Sequence, residues 1–398
     1  MTDLTLPASR GAALDRLSEF APRAGVQYAA NRNTDPGPGQ PLTVSRLSPY
    51  LRYRLITEQE TVGHVASQHG LVASEKFVQE VLWRTYWKGW LEMRSAIWQR
   101  FLEECDRQRQ SLQDGSSLAN AEAGSTGIEG FDDWARELVQ TGYLHNHARM
   151  WLASIWIFTL RLPWALGADF FLRHLIDADP ASNTLSWRWV AGLQTAGKTY
   201  LATTDNISRY TDGRFAPKGL AREAVALTEH PIPPPRALPQ AMAARLDEPS
   251  ILLLTHEDLN PESLFSDTSR FAGAMVAAVP GLLWGEGARR FVGNAAVDSS
   301  ARMTAHFKCP AAVVDRLDAE ALVAAARATD ARQIVTAHAP VGPVADALAV
   351  IAPALAAEGI TLAQVRRGWD DAFWPHAKKG FFAFKEHIPQ HLRELGVA

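Results

Sequence analysis

Cysteine is nearly absent. Cys105 and Cys309 stand far apart in a chain of 398 residues. No CxxC pair or Cys/His spacing accompanies them, which excludes a disulfide framework, gives no cysteine signal for a structural zinc, and makes a reducing compartment the expected setting. An excess of either charge is also missing. Forty basic and 43 acidic residues leave a net charge of −3, which excludes a general nucleic-acid coat but not a local basic face. No clean apolar run is long enough to cross a membrane: the most apolar window, 150–172, is interrupted by Arg161, Pro163 and Asp169 and reads as a buried helix. The first 23 residues carry no basic-then-apolar leader pattern. A cytoplasmic protein with no membrane partner is therefore expected. Gly281, Gly285 and Gly287 do not fit G-x-G-x-x-G, and no Walker lysine motif occurs, so no dinucleotide or nucleoside triphosphate fingerprint is present. Internal repeats are not evident.

What the chain has in abundance is tryptophan. Ten of its 13 tryptophans fall between Trp83 and Trp189. Most are expected to fill a helical core, and some to serve as stacking surfaces or electron donors. The stretch 142–189 mixes Arg149, Asp177, Asp179 and Asn183 with long apolar segments. Buried charges must be paired or face a polar ligand, so this stretch is either an internally satisfied core or the wall of a pocket.

Periodicity predicts helix over 12–30, then a loop over 31–41. Ser48 is a good N-cap for a helix starting at Pro49, and with Arg46 just ahead it outlines an anion site. Residues 75–101 read as one strong helix with Glu80, Trp83, Arg84 and Trp87 on one face. On spacing alone, Glu80 and Arg84 read as an i,i+4 ion pair. Residues 105–127 read as a flexible polar loop, and 198–215 as turn-rich. From 128 to 189 helices dominate, with breaks at Gly142, Pro163 and Asp179-Pro180, where Asp179 can cap the last helix.

A proline-rich linker follows, and composition then shifts to alanine and valine. Strand-like runs at 251–254, 272–279, 333–336 and 360–365 alternate with helices near 319–328 and 344–357, which predicts a parallel sheet with covering helices. The fold class is α + α/β, an all-helical domain followed by a small Rossmann-like parallel α/β domain. The boundaries are 1–215, 216–248 for the linker, and 249–398.

Residues 28–215 resemble the FAD-binding helical domain of the photolyase/cryptochrome family. The likeness rests on Tyr28-Ala29-Ala30-Asn31-Arg32-Asn33, Ser45-Arg46-Leu47-Ser48-Pro49-Tyr50-Leu51, Glu80 to Arg84, Thr126-Gly127-Ile128, Thr141 to Asn146, Arg149-Met150, and His174 to Asp179 through Trp187. The resemblance implies that Ser45, Arg46, Leu47 and Ser48 hold the FAD phosphates beside Tyr28. Arg84, Asn146, Arg149, Asp177, Asp179 and Asn183 would complete the cofactor site, with Asn183 facing flavin N5. Trp187 and Trp164 match two members of an electron-transfer chain whose outermost tryptophan has no counterpart; Trp98, Trp151 or Trp156 can substitute for it. Glu80, Trp83 and Met150 match the pocket for a flipped pyrimidine dimer. An antenna chromophore cannot be inferred.

Departures accompany the likeness. Val44 replaces a threonine, His147 an arginine, and Thr184-Leu185-Ser186 an Asn-Gly-Gly run. Residues 193–200 lack the usual Phe-Arg-x-Phe-Asn-Pro segment. Two of these losses remove DNA-phosphate contacts. The α/β segment also follows the helical one instead of preceding it, which points to a circular permutation, the alternative being an unrelated appended domain. The resemblance implies light-driven repair of cyclobutane pyrimidine dimers by reduced FAD, hence a lyase acting on damaged DNA, single strands included. The alternative is a cryptochrome-like blue-light photoreceptor without repair.

Overall fold

The computed structural model describes residues 6–112, 115–245, 247–265 and 269–397. The first part is helical: α1 (Arg10–Phe20), α2 (Val26–Asn31), α3 (Ser48–Arg52), α4 (Glu58–Ala73), α5 (Glu75–Glu92), α6 (Ala96–Ser111), α7 (Ser116–Ala123), α8 (Phe131–Thr141), α9 (Asn146–Ser154), α10 (Trp164–His174), α11 (Pro180–Val190) and α12 (Thr204–Tyr210). The local signals act as expected where they are chemical. Gly142 ends α8 in the left-handed region at φ 67°, and the Asp179 side chain accepts from the amides of Ala181 and Ser182 at the start of α11. Between α9 and α10 the chain widens into a π turn at Ile155–Thr159.

Four expectations need correction. Residues 75–101 form two helices, not one. The chain turns at 93–95 with no Gly or Pro to mark it; there the Arg94 guanidinium lies over the Trp90 ring and donates to the Lys378 carbonyl. The polar stretch 105–127 is not a loop: α6 runs through it to Ser111 and α7 follows, while residues 113 and 114 lie outside the described ones. Its polarity reflects exposed helix faces, with Cys105, Gln108 and Ala121 turned inward. The turn-rich stretch 198–215 holds α12, capped by Thr203. Ser48 is the first residue of α3 rather than its cap.

The second part holds β1 (Ser250–Thr255), β2 (Phe271–Ala277), α13 (Glu286–Phe307), β3 (Ala311–Val314), α14 (Ala319–Ala328), β4 (Gln333–Ala337), α15 (Pro343–Ala357) and β5 (Thr361–Val365). All strand pairs are parallel, in the order β3-β2-β1-β4-β5, the doubly wound arrangement. The chain ends in α16 (Gly368–Phe373), α17 (Phe381–Lys385) and α18 (Ile388–Glu394). The alternation was legible in the sequence, but α13 and β3 were not. The buried stripe of α13 is Ala288, Phe291, Val292, Ala295, Ala296, Ser299, Met303 and Phe307. Its spacing is helical, but small residues carry most of it. β3 is a short strand with an exposed centre at the sheet's edge.

The described residues of 217–249, all but 246, form neither helix nor strand, yet they are tied down. The amide of Leu227 bonds to Ala191 O, that of Arg236 to Met93 O and that of Met242 to Gln364 O, and Glu229 pairs with buried Arg188 at 2.6 Å. The segment is a strap from the helical part to the β5 edge.

The carboxyl ends of β1 and β4, where doubly wound sheets commonly bind ligands, are taken up by the helical part. Arg52 grips Glu257 with two 2.7 Å bonds, and His338 and the Val341 amide meet Glu92 at 3.1 and 2.5 Å. Arg54, only 2% exposed, pairs with Asp370 at 2.7 Å, Asp258 at 3.4 Å and Glu58 at 3.5 Å, while Arg367 holds Asp258 at 2.6 Å. Removing one partner from such a buried set strands the others' charge. Arg54→Met is therefore expected to destabilise the protein by about 3–5 kcal/mol in denaturant unfolding; a loss near zero would show the cluster to be structurally idle.

Candidate functional site

The helical part encloses one large cavity, about 630 Å³, within the range of small-molecule and cofactor sites. One wall comes from α5, which presents Glu80, Trp83 and Arg84. The segment before α3 presents Ser45, Arg46, Leu47 and Ser48, with Tyr28 beside it. α9 presents Asn146, Arg149 and Met150, and the α10–α11 corner presents Asp177, Asp179, Asn183 and Trp187. Every cofactor and substrate residue expected from the sequence thus lines one space.

The floor is ionic. Arg149 pairs with Asp177 through bonds of 3.3 and 3.2 Å. Arg84 reaches Asp179 at 2.6 Å and Asp177 at 3.5 Å. The ion pair expected between Glu80 and Arg84 does not form: Arg84 points to these aspartates, and Glu80 instead meets Arg32 at 3.5 Å. A backbone loop, unseen in helical spacing, supplied the nearer partner. Burial alone would raise the carboxyls of Asp177 and Asp179. For Asp177 the charges of Arg149 and Arg84 reverse this, and for Asp179 those of Lys88, Arg84 and Arg52 do, so both stay below the usual aspartate range. Glu80 goes the other way, because burial in the wall outweighs Arg32 and raises its carboxyl.

Three polar atoms on this wall are buried without a hydrogen-bond or ionic partner among the described residues: Arg46 Nε, Ser182 Oγ and Trp187 Nε1. Buried polar atoms are normally satisfied, so a wall with three orphans is suited to a polar ligand. Arg46 sits at φ 55°, an uncommon conformation for a residue with a Cβ, and its guanidinium lies 4.8 Å from the Tyr143 ring centroid. Asn183 donates its amide to Ala168 O at 2.8 Å, which assigns the side-chain carbonyl to the other side.

Aromatic rings complete the enclosure. Phe381 of α17 stacks on Trp83 at 3.8 Å and 11°. One face of that indole is therefore covered, and the rest of it lines the cavity. Trp187 lies edge-on to Phe171 at 5.0 Å and to Trp156 at 6.1 Å. Gly167 permits this approach: a Cβ there would come 2.3 Å from the Trp187 ring and 2.9 Å from Trp156 Nε1. Trp164 is not in the cavity wall. It packs on Phe101 at 5.9 Å with Arg188 over its face, and the tryptophan in ring contact with Trp187 is Trp156.

Sequence reasoning missed Tyr143, Ser182 and the rim of Trp189, Tyr200, Asn206 and Tyr210. Tyr143 carried a signal, since it sits within the Thr141–Asn146 motif. The rim reaches the cavity through tertiary folding of the segment after α11. His147 is held there, bonded to Asn33 O at 2.9 Å and near Tyr200 Oη at 3.3 Å, and stacked on Trp151 at 4.2 Å.

A deep, aromatic-walled cavity with an ionic floor defines a small-molecule-binding domain, and comparison with known proteins narrows the class. Residues 77–216 match the FAD binding domain of DNA photolyase. The deoxyribodipyrimidine photo-lyase of Streptomyces griseus is 38% identical over 152 residues, 38% of this chain and 32% of that one. That of Escherichia coli is 29% identical over 205 residues, covering 49% and 41%. A class III photolyase structure from Agrobacterium tumefaciens is 26% identical, with TM-score 0.42 over 51% of this chain and 43% of that one. Over residues 77–216 the helical part is similar to the FAD binding domain of DNA photolyase. The chain spans well under half the length of these curated relatives.

A pH dependence follows from the floor. Because folding lowers both aspartate pKa values, their stabilisation is fully present above the unfolded value of about 3.9 and is lost as pH falls through the native values. The unfolding free energy should fall on acidification below about pH 4, and less steeply in Asp179→Asn, where asparagine keeps the helix cap. Identical slopes in urea titrations of the two proteins would contradict the assignment.

Proposed function

We propose that this chain is a light-driven flavoprotein of the photolyase type that repairs cyclobutane pyrimidine dimers in DNA. The observation that carries the reading is the convergence in one cavity of Glu80 and Trp83 with the Arg149–Asp177 pair and Asn183. The wall fits FAD: orphaned Arg46 Nε and Ser182 Oγ offer partners to phosphate or ribose oxygens, and the Arg84/Arg149/Asp177/Asp179 floor offers fixed charges to a polar ring. When bound and reduced, FAD supplies a light-excited electron donor; an antenna chromophore is not assigned. The chain's own groups do the rest. Asn183 turns an acceptor oxygen toward the cavity. Trp83 offers an indole on which a flipped base can stack. Glu80, whose carboxyl burial shifts upward, can donate to a pyrimidine carbonyl when protonated, while Met150 adds apolar wall. Trp187 with Trp156 behind it forms the nearest route for electrons to enter. Because the electron returns after the dimer splits, no net oxidant or reductant is consumed.

Lys378, Lys379 and Phe382 lie exposed in the segment around Phe381, the ring stacked on Trp83, with Phe382 at 82%. Cations and an aromatic ring together suit single-stranded DNA. One observation favours a cryptochrome-like photoreceptor instead: His147, where the family has an arginine for DNA phosphate, is engaged internally by Asn33 and Trp151.

Illumination of the reduced protein with dimer-containing oligonucleotides, single- and double-stranded, separates the two. Repair is expected, with Trp83→Ala weakening substrate binding by about 1–3 kcal/mol and Glu80→Ala lowering the repair yield. Flavin photoreduction with no repair of either substrate would establish the photoreceptor reading. In the same instrument, Trp187→Phe is expected to slow photoreduction strongly; unchanged kinetics would remove Trp187 from the electron path.

A further inference from the structure

Away from the cavity, three imidazoles meet near the end of the chain. His376 closes the turn Trp374–His376, His387 precedes α18, and His391 lies four residues further on the same face. The His376 and His387 rings stack with centroids 3.8 Å apart. His391 Nε2 lies 2.9 Å from His376 Nε2. One ring nitrogen from each histidine falls within 4.8 Å of the other two, and all three side chains are half-buried.

A carboxylate stands behind this group. Glu394 meets His391 Nδ1 at 2.8 Å through one oxygen, and Gln390 donates to its other oxygen at 2.8 Å. A carboxylate on Nδ1 keeps the proton on that nitrogen and leaves Nε2 as a lone pair aimed at the neighbouring rings. That is the arrangement by which outer carboxylates orient metal-binding histidines. Imidazole suits Zn²⁺, Cu²⁺ and Ni²⁺ rather than the oxygen-seeking Mg²⁺ or Ca²⁺. With tetrahedral metal–nitrogen bonds of about 2.0–2.1 Å, two ligand nitrogens on one ion lie about 3.4 Å apart. A pair at the 4.8 Å limit must close by about 1.4 Å, within reach of side-chain rotation.

We propose that His376, His387 and His391 bind one divalent transition-metal ion of the Zn²⁺ type, with Glu394 as the positioning residue for His391. The ion links α18 to the turn preceding α17. His391 packs edge-on against Phe373, Phe373 contacts Phe384, and Phe384 contacts Phe381, the ring on Trp83. The metal therefore braces the segment that covers one face of a cavity-wall tryptophan. The site is independent of the flavin reading, since none of its residues lines the cavity.

The test uses the full chain, freed of any affinity tag and of metal, titrated with Zn²⁺ by calorimetry. One equivalent is expected to bind. His387→Ala and His391→Ala should each weaken binding by at least tenfold, and Glu394→Gln by about 10–100-fold. Zn²⁺ should also raise the wild-type melting temperature and not that of the His391→Ala protein. Should the histidine variants fail to fold, diethylpyrocarbonate labelling of the wild-type chain decides: Zn²⁺ is expected to protect His387 and His391. Labelling unchanged by Zn²⁺, or Zn²⁺ affinity unaltered in both Glu394→Gln and a folded His391→Ala, would overturn the proposal.

Discussion

A chain of buried charges beneath the cavity organises the molecule. It runs from Arg149 to Asp177, to Arg84, to Asp179, and on through the field of Lys88 and Arg52 to Glu257 after β1. Each of these groups is costly to bury alone, and pairing mainly recovers the cost of removing it from water. What the chain provides is position. It holds the corner between α10 and α11, caps α11, and fixes α5 and α3 against the sheet. The floor of the cavity and the seam between helical and α/β parts are joined through Asp179, which lies in the field of Lys88 and Arg52, the partners of Glu257. A change in one is therefore felt in the other.

Above that floor the cavity is built for a polar ligand in an apolar, aromatic shell. Arg46 Nε, Ser182 Oγ and Trp187 Nε1 are left there without protein partners. Rings make up much of the wall, with Trp83 backed by Phe381 and Trp187 packed edge-on against Phe171 and Trp156.

Much of this was legible in the sequence where a residue's local chemistry is decisive. Asp179 before Pro180 caps a helix, Gly142 ends one, and valine- and alanine-rich runs alternate with helices in a parallel sheet. The motif residues around Ser45, Glu80, Arg149 and Asp177 meet because short motifs carry their conformation with them. Legibility failed where partners come from far away. Spacing paired Glu80 with Arg84, yet each found a nearer partner across the fold, in Arg32 and in Asp177 with Asp179. The stripe of α13 was hidden because alanine marks a buried face less visibly than leucine. The resemblance pairs Trp164 with Trp187; the ring contact of Trp187 with Trp156, made where the chain widens into a π turn and Gly167 lacks a Cβ, had no sequence signal. The His376/His387/His391 group spans a turn and a helix, and only the fold closes it.

The central claim is that this cavity, on its ionic floor, holds a flavin adenine dinucleotide. The most direct measurement is to denature the purified chain and identify the released chromophore by chromatography and mass. The account predicts FAD at about one equivalent per chain, or stoichiometric uptake when the protein is incubated with excess FAD. A chain that releases no flavin and takes none up would contradict it.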